Sequence, residues 1–307
     1  MKVLFISKSK HPDGASPIVL NQGKSLQAKG VQLEYFLIEK NGFPGIFSNL
    51  SALRKVRKEG SFDVIHAHYA FWGYLATLAG CRPLVVSLMG SDLVYAKWYK
   101  HAIRFFNRFF WKKLIVKSQE MLDFAKTKNT VVIPNGIDLE VFKPMERMDA
   151  LKKAGWSPDK KHILFAADEN RPEKNFELTR KAFDLLNNPD YELHTLGNIP
   201  HELMPGLYNA ADVVILSSLR EGSPNVVKEA MACNRPVIAT DVGDVRQHMS
   251  SVYGCFITSF EPEDMADNIE QAMQVNIAES REAIAHLSAE RVAEKLMDVY
   301  KSAKSGQ

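Results

Sequence analysis

The sequence predicts two α/β domains in tandem, each a doubly wound parallel sheet covered by helices. Short apolar runs that end in turn residues alternate with longer segments of helical spacing, which is the pattern of βαβ units. The length of 307 residues exceeds the roughly 150 to 250 residues at which one core usually stops growing. Residues 1–143 hold 21 Lys and Arg against 10 Asp and Glu, whereas residues 144–307 hold 18 against 26. Two halves of opposite charge indicate two domains with different partners.

The first domain is predicted over residues 1–144 and begins directly with an apolar run. Its strands are expected at 3–6, 33–38, 64–66, 84–87, 114–117 and 131–133. Its helices are expected at 17–29, 47–59, 69–79, 95–111 and 119–127. The polar, Lys-rich stretch at 145–161 interrupts this alternation and is predicted to be a linker.

The second domain is predicted over residues 162–288. Its strands are expected at 163–167, 192–196, 213–217, 236–240 and 254–257, with helices at 177–186, 204–210, 224–233 and 263–274. Paired doubly wound sheets bind ligands in the crevice at the carboxyl ends of their strands.

Several classes of protein are disfavoured by what the sequence does not contain. It has no G-x-G-x-x-G, no G-x-x-x-x-G-K-[ST] and no Asp-x-Asp pair, which disfavours a dehydrogenase, a P-loop nucleotidase and a metal-dependent Asp-x-Asp transferase. Three scattered cysteines without CxxC spacing suggest neither disulfides nor a thiolate zinc site. No apolar run reaches membrane-spanning length, and no signal peptide is recognised. We therefore expect a cytoplasmic protein.

The segment after the strand at 213–217 predicts an anion site at the start of a helix. Ser223 is expected to be the N-cap and Pro224 the first helical residue, where its missing N–H costs nothing. The helix is expected to end at Asn234, which tolerates a left-handed backbone. Free N–H groups of the first turn and the helix dipole favour a phosphate or diphosphate at its start.

Two carboxylates accompany this helix. Asn225 and Glu229 lie four residues apart and therefore on one face, while Glu221 precedes the helix. Carboxylates at two depths can accept hydrogen bonds from hydroxyls of two different sugars.

The spacing of these glutamates resembles that of a known family. Seven residues separate Glu221 from Glu229 within Glu-Gly-x-x-x-x-x-x-Glu-Ala, the mark of retaining enzymes of glycosyltransferase family 4, whose fold is GT-B. The other segments in family order are Asp63-Val64-Ile65-His66-Ala67-His68, Gly90-Ser91-Asp92, Ser118, Pro134-Asn135-Gly136-Ile137-Asp138, Arg171-Pro172-Glu173-Lys174-Asn175 and Pro236-Val237-Ile238-Ala239-Thr240-Asp241-Val242-Gly243. The resemblance covers nearly the whole chain. It implies two Rossmann-like domains facing an interdomain cleft, with a last helix at about 289–303 crossing back to the first domain.

The resemblance also implies the donor-binding residues. Glu229 would bind the ribose of a nucleotide-sugar, and the base would lie near Asn198 and Ile199. The diphosphate would be held by the start of the helix, at Gly222, Ser223, Pro224, Asn225 and Val226. Gly14 would let the loop after the first strand approach the phosphates, although a plain turn glycine is an equal alternative.

Three catalytic residues are implied by the same resemblance. Glu221 would contact the donor sugar, while Arg171 and Lys174 would stabilise the charge that grows on the departing diphosphate. These fixed cations would replace a metal, so that no metal and no cofactor are expected besides the nucleotide-sugar substrate. An alternative for Arg171 and Lys174 is a solvated charged turn with Glu169 and Glu173.

The chain departs from the family where many relatives have a histidine before Gly-Ser-Asp. Met89 occupies that position and cannot donate a strong hydrogen bond. Met89, Asp92, His66 and His68 are candidates for sugar or acceptor contacts, with plain packing as the alternative for the two histidines.

Residues 98–113 predict a basic aromatic helix. A helical wheel places Trp98, Tyr99, Ala102, Ile103, Phe105, Phe106, Phe109 and Phe110 on one side and Lys100, His101, Arg104, Asn107, Arg108 and Lys112 on the other. This composition is typical of a helix in an anionic membrane interface, and Trp111 on the basic side favours lipid contact. Burial against the sheet is the alternative. Reversing the charges of Lys100, Arg104 and Arg108 is expected to leave stability nearly unchanged.

The resulting interpretation is a retaining glycosyltransferase, cytoplasmic or peripheral on the inner membrane face. It would use a nucleotide-sugar and a glycan or lipid-linked acceptor, and the resemblance implies no nucleic-acid partner. Two alternatives are a nucleotide-sugar epimerase of the same fold and a non-catalytic membrane-surface protein that binds donor or lipid.

Overall fold

The structure, a computed structural model, describes residues 1–11, 14–39, 42–90, 92, 97–197, 199–275 and 278–305. The chain forms two compact units. The first comprises Met1–Gly136 together with Ala289–Gln307, and the second comprises Ile137–Ser288. The boundary therefore lies earlier than the predicted residue 144.

The first unit contains all six predicted strands and five predicted helices, with ends that differ by a few residues. It consists of β1 (Lys2–His11), β2 (Gly14–Ala15), α1 (Pro17–Ala28), β3 (Gln32–Ile38), α2 (Gly42–Glu59), β4 (Val64–His68), α3 (Ala70–Leu78), β5 (Leu84–Ser87), α4 (Lys97–Phe109), β6 (Lys113–Val116), α5 (Gln119–Ala125), β7 (Thr130–Val132) and the C-terminal α12 (Ala289–Ser305). The short β2 was not predicted.

The first sheet is parallel except for β2. Its parallel strands run in the order β3-β1-β4-β5-β6-β7, and β2 pairs antiparallel with β1. The chain moves from β1 to β3 on one side and then to β4 on the other. The loops after β1 and β4 therefore flank the topological switch point, where open α/β sheets bind ligands.

Alternating side chains of the first sheet enter two different cores. Leu4 and Ile6 of β1 face one side, while Val3 and Phe5 face the other. Helix α12 packs on the second side through apolar residues that include Leu296. Buried apolar area of this kind stabilises by about 25 cal/mol per Å², which is why a helix this far along the chain belongs to the first unit.

Within its described residues, the second unit contains the five predicted strands, the four predicted helices, and two α-helices that were not predicted. It consists of α6 (Arg147–Ala154), β8 (Lys161–Phe165), α7 (Phe176–Leu186), β9 (Tyr191–Thr195), α8 (Met204–Ala210), β10 (Val213–Leu216), α9 (Asn225–Ala232), β11 (Val237–Thr240), α10 (Val245–Met249), β12 (Cys255–Thr258) and α11 (Pro262–Met273). The parallel strands run in the order β12-β11-β10-β8-β9. The switch point lies between β8 and β10.

The predicted linker at 145–161 is wrong, because most of it folds within the second unit. Ala150 and Leu151 of α6 are buried against Ala210 of α8. Arg147 forms two hydrogen bonds with the carboxylate of Asp212, at 2.8 and 3.0 Å. Of the lysines that suggested a linker, Lys152 and Lys153 are exposed on the outer face of this short helix, whereas Lys160 precedes β8 and Lys161 begins it.

The structure divides the aromatic residues of α4 differently from the helical wheel. Ile103 and Asn107 are buried, and Trp111, just after the helix, is buried and donates a hydrogen bond to the hydroxyl of Thr77 at 3.0 Å. The exposed rings are those of Phe105, Phe109 and Phe110. Trp111 is thus a core residue and does not favour lipid contact. The side chain of Trp98 lies outside the described residues.

Arg104 also has a role in the fold that the wheel did not indicate. Its guanidinium donates hydrogen bonds to the carbonyl oxygens of Phe124 and Ala125, at 3.0 and 3.1 Å. These are carbonyls at the end of α5, where a cation is favoured by the helix dipole. Along the ranges that the structure describes, no helix has the length and apolarity needed to cross a bilayer.

The replacement Arg104→Gln is expected to lower the free energy of unfolding by about 1 to 2 kcal/mol, because two carbonyls lose a charged donor. Urea denaturation measures the change. The matched control is Arg108→Gln on the exposed side of α4, for which we expect a change within about 0.5 kcal/mol. Equal effects of the two replacements would contradict the role of Arg104.

Candidate functional site

Two loops at the carboxyl ends of β8 and β10 flank the switch point of the second sheet. The Ser217 hydroxyl lies 3.0 Å and 2.9 Å from the carbonyl oxygens of Lys174 and Asn175, between which it shares its single hydrogen. The N–H of Leu219 donates to the carbonyl of Glu173 at 3.0 Å. The two loops are therefore fixed to each other through their backbones.

This arrangement brings together two predicted catalytic residues, Lys174 and Glu221. The Lys174 ammonium donates to Oε1 of Glu221, and the hydroxyl of Ser218 donates to the same oxygen at 2.9 Å. The side chains are 12% and 19% exposed. An ion pair that is mostly removed from water is less screened than a surface pair, so each group restricts the position of the other.

Arg171 does not join this pair. Its guanidinium lies 2.9 Å from Oε1 of Glu173 and its side chain is 54% exposed. Arg171 therefore belongs to a solvated charged turn, which was the alternative to a catalytic role, whereas Lys174 faces the loop that carries Glu221.

Helix α9 begins one residue later than predicted. Pro224 is its N-cap, and Asn225 and Val226 are half-buried in the first turn. Ser223 is not the N-cap, since its hydroxyl donates to Oδ2 of Asp244 at 2.6 Å. After the helix, Asn234 has φ of 53°, the left-handed conformation that was predicted.

Beneath this loop lies a buried lysine that the sequence analysis did not single out. Lys228 is fully buried and its ammonium donates to the Ser223 hydroxyl at 2.7 Å. Burial lowers the pKa of Lys228, while the charges of Asp244 and Glu229 oppose that shift. A lysine among the apolar residues of a predicted helix was the only signal for this network.

Gly222 is buried against the loop after β11. A Cβ at Gly243 would lie 2.8 Å from the Gly222 carbonyl oxygen and 3.0 Å from that of Glu221, and the φ of Gly243 is 62°. Only glycine fits both the conformation and the close approach. Gly243 therefore contributes to the shape of the loop that carries Glu221.

Glu229 is 6% exposed and has a partner that the sequence did not reveal. The hydroxyl of Tyr208 donates to Glu229 Oε2 at 2.8 Å, and His201 Nε2 lies 3.6 Å from Oε1. Burial, and next the adjacent carboxylate, raise the pKa of Tyr208 well above its usual value. Tyr208 therefore stays a neutral donor that fixes one oxygen of Glu229.

The remaining donor candidates are less informative. Ile199 packs partly buried against the core of the second unit, and Asn198 lies outside the described residues. Gly14, in the first unit, is buried in β2 with φ of 144°, a conformation that favours glycine. Gly14 lies in a two-residue strand. This position agrees equally with a plain turn glycine and with a glycine that lets the loop approach a phosphate.

His66 and His68 are stacked in the interior of the first unit, with ring centroids 4.3 Å apart. The ring nitrogens of His66 lie 2.7 Å from the Tyr300 hydroxyl and 2.8 Å from that of Ser87. Burial lowers the pKa of both rings, that of His68 to about 3. His66 thus has the packing role, whereas His68 contacts Gln22 at 2.7 Å, a residue that lines a small surface cavity.

The side chain of Asp92 binds two backbone N–H groups of the first unit. Its carboxylate accepts from the N–H of Ala70 at 3.0 Å and from that of Met89 at 2.6 Å, and it is 1% exposed. Burial raises its pKa to about 6, against the opposing effect of these hydrogen bonds. Met89 is half-buried and is positioned by this contact.

Two family descriptions match consecutive parts of the chain. Residues 12–141 match "Glycosyltransferase Family 4", and residues 146–274 match "Glycosyl transferases group 1". Together they include both loops of the second unit described above.

Relatives of known name support the same assignment. TuaC of Bacillus subtilis (strain 168), a glycosyltransferase named for teichuronic acid biosynthesis, is 30% identical over 66% of this chain and 59% of its own length. A D-inositol 3-phosphate glycosyltransferase of Paenarthrobacter aurescens (strain TC1) is 29% identical over 57% of this chain and 52% of its own length. The chain thus spans between half and two thirds of these relatives.

Solved structures of low sequence identity share the fold. Sucrose-phosphate synthase from Thermosynechococcus elongatus has a TM-score of 0.83 at 17% identity, with each chain covered completely. Anabaena HepE in complex with UDP and glucose has a TM-score of 0.77 at 19% identity, over 98% of this chain and all of HepE. These likenesses show the GT-B fold.

The raised pKa of Asp92 predicts a defined dependence of stability on pH. The folded state holds a proton that the unfolded state releases near the ordinary value of 3.8. The contribution of Asp92 to the free energy of unfolding is therefore full below pH 4 and is lost as pH rises through 6. At 1.36 kcal/mol per unit, the free energy of unfolding of the wild type minus that of Asp92→Asn should fall by about 2 to 3 kcal/mol from pH 4 to 7.

Urea denaturation across this pH range measures the difference. Asp267→Asn, which removes an exposed carboxylate of α11, is the control. A flat difference for Asp92→Asn would show that the carboxyl titrates normally.

Proposed function

Because the chain belongs to the family 4 type of glycosyltransferase and has the GT-B fold, we propose that it transfers a sugar from a nucleotide-sugar to a glycan or lipid-linked acceptor with retention of configuration. The observation that carries the proposal is the Lys174–Glu221 pair beside the start of α9, with Glu229 buried in the same helix. In this proposal the second unit binds the donor and the first unit the acceptor.

The donor is proposed to be a nucleoside diphosphate sugar. Support comes from HepE, whose structures contain UDP with glucose, and UDP-glucose. In this chain the N–H groups at the start of α9 would hold the diphosphate. Glu229, with one oxygen bound by Tyr208, would accept a hydrogen bond from a ribose hydroxyl at its other oxygen.

The transfer step follows from the charge of the leaving group. The bond between the anomeric carbon and the diphosphate oxygen breaks, and the acceptor oxygen bonds to the same face of that carbon. The acceptor proton passes to the departing diphosphate. Negative charge grows on the diphosphate, so Lys174 would stabilise the transition state more than the ground state, and we propose that no metal is needed for transfer. Before the donor binds, Glu221 pairs with the ammonium of Lys174. In the donor complex, Glu221 would accept hydrogen bonds from hydroxyls of the sugar.

The acceptor class is proposed from the relatives. TuaC is named for teichuronic acid biosynthesis, and an Escherichia coli relative, 26% identical over 63% of this chain and 62% of its own length, is a UDP-Gal:alpha-D-GlcNAc-diphosphoundecaprenol alpha-1,3-galactosyltransferase. A lipid-linked acceptor requires that the enzyme reach a membrane surface. We propose that the exposed rings of Phe105, Phe109 and Phe110, among the cations of α4, make that contact on the cytoplasmic side.

The two glutamates provide the test of transfer. Glu229→Gln should weaken binding of UDP, and of any nucleotide-sugar turned over, by roughly 10- to 100-fold, because a charged acceptor for the ribose is lost. Glu221→Gln should leave UDP affinity within about threefold and lower turnover. Calorimetry with UDP, GDP and ADP in excess EDTA measures binding, and a screen of nucleotide-sugars measures turnover.

Glu263→Gln on the exposed face of α11 is the matched control and should change neither quantity. Product configuration, read by NMR, tests retention. Equal loss of nucleotide affinity in both glutamate variants would contradict the assigned roles. Nucleotide binding that EDTA abolishes and magnesium in excess restores would contradict metal-free transfer, and donor turnover without acceptor would favour an epimerase.

Membrane contact is tested by co-sedimentation with vesicles that contain phosphatidylglycerol. The double replacement Phe105→Ser with Phe109→Ser should release the protein, because two apolar rings no longer enter the interface. The control is Phe260→Ser, which removes an exposed ring of the second unit. Salt should weaken binding of the native protein, since cations act within a Debye length. Native protein that ignores anionic vesicles at low salt would refute this contact.

A further inference from the structure

A group of three potential metal ligands lies on one face of the second sheet, outside the donor-site loops. His162 of β8 pairs in register with Glu192 of β9, and His194 follows two residues later on the same face. His162 Nδ1 lies 3.0 Å from His194 Nε2 and 3.5 Å from Glu192 Oε2, and the last two atoms are 3.7 Å apart. Three donor atoms of the kinds that bind zinc therefore converge on one point.

The distances suit a tetrahedral ion. Zinc binds imidazole nitrogen and carboxylate oxygen at about 2.0 to 2.2 Å, so the donor atoms of a tetrahedral site lie roughly 3.3 to 3.5 Å apart. The observed triangle needs shifts of only a few tenths of an ångström. The side chains of Glu192 and His194 are 41% and 22% exposed, which leaves an entry path and a fourth position for water.

The surroundings of His162 are those of a metal ligand. His162 Nε2 lies 2.7 Å from the carbonyl oxygen of Ser157, so this nitrogen carries the proton and the Nδ1 lone pair faces the cluster. Such a bond from the second ring nitrogen orients metal-binding histidines. The ring of Trp156 stacks on His194 with centroids 3.8 Å apart.

We propose that His162, Glu192 and His194 bind one zinc ion that joins the outermost strand β9 to β8. Two imidazoles and one carboxylate select zinc over magnesium, which prefers oxygen ligands. The site begins at the amino end of β8, whereas Lys174 and Glu221 follow the carboxyl ends of β8 and β10. The ion is therefore structural, and transfer without a metal at the diphosphate is a separate proposal.

The test uses untagged full-length protein stripped with EDTA and then dialysed. We expect calorimetry with ZnCl2 to give one site per chain, and the thermal midpoint to rise as zinc is added. Cobalt should give the visible absorption of a four-coordinate ion. Magnesium chloride at the same concentration should leave the midpoint unchanged, and an equal shift with magnesium would overturn the assignment to nitrogen ligands.

His194→Gln and Glu192→Gln should each weaken zinc binding by at least about 100-fold. Loss of a residue that only hydrogen-bonds a metal ligand already lowers metal affinity by about 10- to 100-fold, and loss of the ligand itself should cost more. Both side chains are partly exposed, so the metal-free variants should unfold near the wild-type temperature. His101→Gln, an exposed histidine of α4, should bind zinc like wild type. No stoichiometric zinc site, or a site that persists in His194→Gln, would overturn the proposal.

Discussion

The architecture of the candidate site in the second unit depends on how one hydroxyl group fixes two loops. Ser217, at the carboxyl end of β10, hydrogen-bonds the carbonyls of Lys174 and Asn175 and accepts from Thr179 of α7. Because these bonds are made to backbone carbonyls, they hold the chain path itself and allow side chains to vary. The topology places the ends of β8 and β10 side by side at the switch point, and Ser217 sets the spacing between the loops. The contact of Lys174 with Glu221 follows from that spacing.

A second layer supports the loop from below. Lys228, Ser223 and Asp244 form a buried polar chain under the start of α9, and Gly243 brings the next loop against the Gly222 carbonyl. Polar groups buried in this way are costly unless partnered, so the network favours one arrangement of the segment over others. A rigid cradle of backbone N–H groups costs little reorganisation when an anion binds or when charge develops on it.

Most of the secondary structure could be predicted because apolar runs of strand length and amphipathic runs of helix length are local signals. The contacts that define the site are not local. Tyr208 meets Glu229 only because α8 packs beside α9, and His162 meets Glu192 only through the register of β8 and β9. The helical wheel of α4 predicted the wrong buried face for a related reason. Tertiary packing centres the buried face of α4 on Ile103 and Asn107, and Arg104 donates to carbonyl oxygens of α5. Hydrophobicity alone cannot locate that face.

The position of α12 has a consequence for the order in which the protein is made. The second unit is one continuous stretch, whereas the first requires residues from both ends of the chain. The first sheet therefore leaves the ribosome long before the helix that covers Phe5 and supplies Tyr300 to His66. Domains generally fold as units during synthesis, and here the second unit is complete before the first. The entropy cost of joining distant segments grows only with the logarithm of the chain length between them. The late synthesis of α12 therefore affects the rate of folding, and the time for which the first sheet is open to chaperones, more than the final stability.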